Sequence, residues 1–124
     1  MSPEQRYSRK REAVREALSQ TVEHPSAEML YVELKQKYPE ISLGTVYRNL
    51  AEFCRNDEAV CVATVNGQER FDGCTKAHPH FVCEKCGEVL DVAGDIPPCV
   101  DSLLLPGTAS AVSLTFYGVC NHCK

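Results

Sequence analysis

The 124-residue sequence predicts an α+β protein, with an N-terminal winged helix-turn-helix domain followed by a small α/β domain. Three observations predict it. The first half holds three apolar stripes at helical spacing, an Asn-Gly pair between two β-rich runs comes next, and beyond residue 73 short strand-like segments alternate with paired cysteines.

The first helix is expected over residues 3–21, where Ala13, Val14, Ala17 and Leu18 share one face and charges cover the rest. His24-Pro25-Ser26 breaks that pattern, and Ser26 suits an N-cap because its hydroxyl can accept an unpaired N–H of the next first turn. Ala27, Leu30, Leu34 and Tyr38 then recur at helical spacing until Pro39. Ser42 caps a third helix, with Leu43, Val46, Leu50 and Phe53 as its buried stripe. Gly44, Thr45, Arg48 and Glu52 fall on the opposite face, with Tyr47 and Asn49 at its margins. Ala59–Val65 and Gln68–Asp72 flank Asn66-Gly67, the pair best suited to a tight hairpin turn. Helix, helix, helix and hairpin is the order of a winged helix-turn-helix, whose third helix enters the major groove of DNA. A three-helix protein-interaction domain is the alternative that the pattern leaves open.

Gly73–Ala77 reads as a linker. Strands are expected at His80–Cys83, Val89–Val92 and Val112–Val119, with a short helix over Pro98–Leu105 and a turn at Pro106-Gly107. The domain boundaries expected are therefore 1–72, 73–77 for the hinge, and 78–124.

Composition narrows the function classes. The apolar (44%) and charged (24%) fractions are those of an ordinary soluble protein. The longest apolar run, Ala59–Val65, falls far short of the roughly 20 residues that span a bilayer. The basic N-terminus has no apolar stretch behind it, so a cytoplasmic protein with no membrane partner is expected. A net charge of −4 argues against a general nucleic-acid coat but permits a specific DNA binder, because the charge is uneven. The first fifteen residues hold Arg6, Arg9, Lys10, Arg11 and Arg15 against Glu4 and Glu12, so phosphate contacts would come from the first half.

Eight cysteines in a reducing compartment point to metal or redox chemistry. Cys83-Glu84-Lys85-Cys86-Gly87 and Cys120-Asn121-His122-Cys123 supply four thiolates, which a tetrahedral Zn(II) satisfies. Two-residue spacing lets both sulfurs of a knuckle face one ion, and four protein ligands leave no open position, so the site is structural. A pair of redox dithiols is the competing reading. Cys54 and Cys61 read as small buried hydrophobes. Cys74 beside Asp72 could ligate zinc or act as a redox thiol, and Cys99 has no assignment. A second set, His24, Asp72, His78, His80 and Asp91, offers nitrogen and oxygen donors suited to Fe(II), Mn(II) or Zn(II). From spacing alone only His78-Pro79-His80 is suggestive, since residues two apart on a strand share a face.

The run His24-Pro25-Ser26-Ala27-Glu28, with Ile41-Ser42-Leu43-Gly44-Thr45-Val46-Tyr47-Arg48-Asn49-Leu50, resembles the ferric uptake regulator (Fur) superfamily. So do Arg70-Phe71-Asp72, the stretch from His78 to Gly87, and Phe116-Tyr117-Gly118-Val119-Cys120. The match runs through nearly the whole chain in order. It implies a homodimeric repressor of double-stranded operator DNA, with a winged-helix domain, a dimerisation domain holding a four-cysteine zinc, and a regulatory metal. On this resemblance His24, Asp72, His78, His80 and Asp91 are the regulatory ligands for Fe(II) or Mn(II). The aspartates at 72 and 91 resemble the peroxide-sensing branch, in which Fe(II) and hydrogen peroxide oxidise histidine ligands, here His24 and His78, and release DNA. Iron sensing or zinc sensing at the same ligands are the alternatives. Arg48 is the leading base-contact candidate, with Tyr47, Thr45, Asn49 and Arg11 as further DNA-binding residues.

The chain departs from the family pattern at three places. Pro97-Pro98 and Pro106-Gly107 crowd a shortened insert between the knuckles, where the family's dimerisation helix lies. Pro79 stands where a further family metal site needs an acid, so no such site is assigned. Tyr7-Ser8-Arg9-Lys10-Arg11 replaces the usual start of the first helix. A metalloenzyme and a zinc-ribbon adaptor are the rival classes. No small organic substrate and no catalytic residue are expected, because the sequence offers no acid–base group separate from the metal donors.

Overall fold

The computed structural model describes residues 3–96 and 103–124. The chain forms two compact units, Met1–Thr75 and Lys76–Lys124.

The N-terminal unit contains α1 (Pro3–Ser19), α2 (Ala27–Lys37), α3 (Leu43–Arg55) and a hairpin of β1 (Val60–Val65) and β2 (Gln68–Asp72). The caps are those the sequence signals. Ser26 Oγ accepts from the Met29 N–H and Ser42 Oγ from the Thr45 N–H, both at 3.1 Å. The first helix stops at Ser19, short of the expected residue 21. Beyond it Thr21 Oγ1 accepts the Glu23 N–H at 3.1 Å, a local hydroxyl bond that competes with helix. Val14, Leu18, Leu30, Leu34, Ile41, Val46, Leu50, Phe53 and Phe71 make one core between the helices and the hairpin. Each large side chain buried there contributes roughly 1.5–3 kcal/mol.

Asn66 (φ 52°) and Gly67 (φ 79°) are both left-handed, which is what the two-residue turn between Val65 and Gln68 requires. A bulge between Cys61 and Ala63 breaks the alternation of β1, so the neighbours Val62 and Ala63 are both buried. The Phe71 N–H donates to the Pro25 carbonyl at 2.9 Å, which ties β2 to the loop between α1 and α2.

Among its described residues the C-terminal unit forms a three-stranded sheet with its first strand in the middle. β3 (His80–Cys83) pairs antiparallel with β4 (Val89–Asp91) and parallel with β5 (Thr115–Gly118). Both partner strands are shorter than the sequence suggests, because the ladder ends at His80, opposite Asp91 and Thr115, and the residue before it, Pro79, has no N–H to donate. Single bonds extend it: His80 N–H to the Leu114 carbonyl at 3.1 Å, and Val92 N–H to the Pro79 carbonyl at 3.0 Å. The expected helix at Pro98–Leu105 lies largely outside the described residues. Its described end, residues 103–105, is not helical, and those leucines are exposed. Among the described residues no helix is long and apolar enough to cross a membrane.

Candidate functional site

The sheet of the C-terminal unit assembles the cysteine site. Cys83 ends β3 opposite Gly118 of β5, so the parallel register carries Cys120, two residues further on, to the turn holding Cys86. The four sulfurs of Cys83, Cys86, Cys120 and Cys123 all lie within 4.8 Å of one another. Gly87, at φ 76°, closes the first knuckle by donating its N–H to the Cys83 carbonyl at 2.9 Å. The backbone N–H groups of Cys86 (3.4 Å) and Cys120 (3.3 Å) both point at Cys83 Sγ. Those two donors hold the Cys83 thiol well below its ordinary value, at about 6. The Cys123 thiol is pushed up to about 12, first by its bond to Cys120 and then by desolvation. Four convergent sulfurs, one already favoured as a thiolate, fit a tetrahedral Zn(II).

The second donor set falls into two groups, one in each unit. In the N-terminal unit His24 sits in the loop after α1 with a left-handed backbone (φ 53°) and is 2% exposed. Its Nε2 lies 3.3 Å from Oδ2 of Asp72, the last residue of β2. Asp72 Oδ1 is held separately, accepting the Cys74 N–H at 2.8 Å. Such a pair offers an ion one nitrogen and one oxygen.

In the C-terminal unit His80 and Asp91 are cross-strand partners on β3 and β4, and His78 just before β3 folds over the same face. The His78 and His80 rings are 4.3 Å apart between centroids. His78 Nδ1 donates to the Lys76 carbonyl at 2.7 Å, which turns Nε2 toward Asp91. That nitrogen is 2.9 Å from Asp91 Oδ1, and His80 Nε2 is 3.5 Å from the same oxygen. Lone pairs brought this close to a carboxylate need a proton or a cation among them, and two imidazoles with one carboxylate suit a divalent transition ion.

The face expected to meet DNA is narrower than the sequence suggested. Asn49 is fully buried and Thr45 is 6% exposed, so neither presents a side chain to a nucleic acid. The buried stripe of α3 is wide: Thr45, Val46, Asn49, Leu50 and Phe53 follow the i, i+4, i+8 rows that face the core. Arg48 and Tyr47 are exposed. Arg48 Nη2 donates to Thr45 Oγ1 at 3.2 Å, while the Tyr47 hydroxyl donates to the Glu28 carboxylate. Arg11 reaches Glu52 of α3 at 3.6 Å. An open pocket of about 330 Å³ beside the turn into α3 is lined by Arg9, Lys10, Lys37, Tyr38 and Glu40, among others. The sequence reading missed that basic cluster, because Lys37 is remote from Arg9 and Lys10 in the chain.

The remaining thiols differ from expectation in part. Cys54 is half-buried against the core, but Cys61 is exposed on the hairpin. Cys74 is exposed, and Cys99 lies outside the described residues.

Comparison with known proteins places this architecture. The model of the "Ferric uptake regulator family" matches residues 3–97. The peroxide operon regulator of Bacillus subtilis (strain 168) is 34% identical over 122 residues, covering 96% of this chain and 84% of that protein. The ferric uptake regulation protein of the same organism is 32% identical over 118 residues, covering 90% and 79%. Among solved structures, the Campylobacter jejuni peroxide stress regulator superposes with a TM-score of 0.76 at 29% identity, covering 97% of this chain and 93% of that one. With most of its length matched by the family model and by relatives at this identity, the chain belongs to the ferric uptake regulator family.

Proposed function

We propose that the chain is a metal-dependent transcriptional repressor that binds operator DNA as a homodimer and senses peroxide through a regulatory Fe(II). Residues 1–72 serve as the winged-helix DNA-binding domain, 73–77 as the hinge, and 78–124 as the dimerisation and metal-binding domain. The observation that carries the reading is the pair of half-sites, His24 against Asp72 at 3.3 Å and His78 against Asp91 at 2.9 Å. One ion taking ligands from both groups would favour a single arrangement of the two domains, and that differential affinity is what a switch requires.

Zn(II) on Cys83, Cys86, Cys120 and Cys123 holds the C-terminal domain together, leaving His24, Asp72, His78, His80 and Asp91 for Fe(II) or Mn(II). Fe(II) held there would activate hydrogen peroxide to oxidise an adjacent imidazole, the ring gaining one oxygen atom while the other leaves as water, whereas Mn(II) at the same ligands would not. His24 and His78 are the rings at risk. A ring that gains oxygen loses its donor strength, and the loss loosens the arrangement that holds DNA. The peroxide reading is supported by the peroxide regulators among the relatives and by aspartate at both carboxylate positions. Exposed Arg48 and Tyr47 on α3 and the basic pocket of Arg9, Lys10 and Lys37 support DNA binding. Exposed Phe116, Tyr117 and Val119 at and after the edge strand β5 support self-association.

The test loads zinc-containing protein with Fe(II) without oxygen, adds a small excess of hydrogen peroxide and maps peptides by mass spectrometry. One added oxygen at His24 or His78, with iron and not with Mn(II), is the expected result. Intact histidines with unchanged operator binding would leave an iron- or zinc-responsive repressor using the same ligands.

A further inference from the structure

Arg70 is a buried cation in the middle of β2, only 8% exposed. A guanidinium removed from water has to find acceptors, and Arg70 finds them in the backbone of a different segment. Its Nε–H donates to the His24 carbonyl, and its Nη2 donates to the Glu23 carbonyl at 2.9 Å. The next residue, Phe71, donates its N–H to the Pro25 carbonyl at 2.9 Å. Two consecutive residues of β2 therefore hold three consecutive carbonyls of the loop between α1 and α2. The residue after them is Asp72.

The loop has reason to need holding. His24 keeps a left-handed backbone (φ 53°), a conformation that non-glycine residues leave unless their surroundings over-determine it. The fork of Arg70 fixes the carbonyl on one side of that residue and its neighbour's on the other. In that conformation the imidazole Nε2 lies 3.3 Å from Asp72 Oδ2.

We propose that Arg70 is the positioning residue of the regulatory metal site: it sets the His24 backbone so that the His24–Asp72 pair is assembled before any ion arrives. The proposal rests on the reading of His24 and Asp72 as metal ligands. Lysine at position 70 keeps the charge but cannot span both carbonyls with fixed geometry.

The experiment uses the full-length, zinc-loaded protein and titrates Mn(II) into wild type, Arg70→Lys, His24→Ala and the double variant. Arg70→Lys should weaken Mn(II) about 10–100-fold, the usual cost of losing a group that orients a ligand. In the His24→Ala background the same change should cost less than about twofold, because Arg70 acts through His24. In zinc-loaded protein without Mn(II) the His24 ring resonances should shift in Arg70→Lys while the helical signal stays at wild-type strength. Wild-type affinity in Arg70→Lys, or an equal loss with and without His24, would overturn the proposal. Loss of the helical signal in Arg70→Lys would overturn it too, assigning Arg70 to folding. Mn(II) binding that ignores His24→Ala is a separate outcome, and it strikes the metal reading of His24 itself.

Discussion

The backbone N–H of Cys120 points at the sulfur of Cys83 from 3.3 Å, across two strands that run parallel. That contact links the two cysteine pairs before any ion joins them, and it favours the thiolate at Cys83. The second knuckle is thus registered by the sheet, not by its own sequence.

Replacing Cys83 with alanine should therefore do more than remove one ligand of four. Zinc bound per chain should fall from about one to near zero, and the C-terminal unit should lose its ordered amide spectrum. The free energy at stake is on the order of 10 kcal/mol in favourable structural zinc sites, more than so small a sheet can replace. Metal content and amide dispersion measured on the same sample check this; a folded, zinc-loaded variant would remove Cys83 from the ligand set.

Asn49 sits fully buried on α3, and among the described residues neither of its side-chain polar atoms has a hydrogen-bond partner. An unsatisfied buried amide costs about 1–3 kcal/mol, so Asn49→Leu, which keeps the branched shape in a somewhat larger volume, should return part of that as added stability. Urea unfolding gives the answer. A lower midpoint would mean that the amide has a partner in solution or that the core does not admit the larger side chain.

Tyr47 and Glu28 make a pH-dependent contact between α3 and α2. The bond from the Tyr47 hydroxyl holds the Glu28 carboxyl below its ordinary value, and the same bond raises the phenol. A depressed carboxyl contributes stability above the ordinary carboxylate range and loses it as pH falls through the lowered value. Tyr47→Phe should move the Glu28 titration upward in a side-chain NMR experiment and remove that acid-side dependence. An unmoved titration would show that the contact does not form in solution.

Arg48→Ala should weaken binding to operator by about 1–3 kcal/mol and reduce discrimination against random DNA. Lys37→Ala, in the basic pocket, should instead weaken all duplexes alike and lower the salt slope by about 1. Fluorescence anisotropy over a range of salt concentrations separates the two. Unchanged discrimination in Arg48→Ala would take Arg48 out of base reading.

Much of the fold was legible from local pattern. Ser26 and Ser42 cap the helices they were expected to cap, and Asn66-Gly67 makes the hairpin turn, because caps and tight turns depend on a few adjacent residues. The strand ends were less legible: residues 112–114 and Val92 look like strand but have too little of β3 to pair with. Asn49 was misread because a polar side chain within a helix is normally assigned to the outer face, and here the core-facing stripe is wide enough to take it.

The sequence by itself determined the chemistry on offer: two Cys-x-x-Cys knuckles with soft sulfur donors, and five imidazole and carboxylate groups spread over the chain. Residue type and short spacing carry that information, so no fold is needed to read it. Only the tertiary structure decided which atoms meet. It made Cys83 the sulfur that accepts two N–H groups, turned Asp91 toward both histidines, and buried Arg70 on the carbonyls behind His24. Those relationships join residues up to 47 positions apart, and such pairings follow from strand register and burial, which no local stretch of sequence encodes.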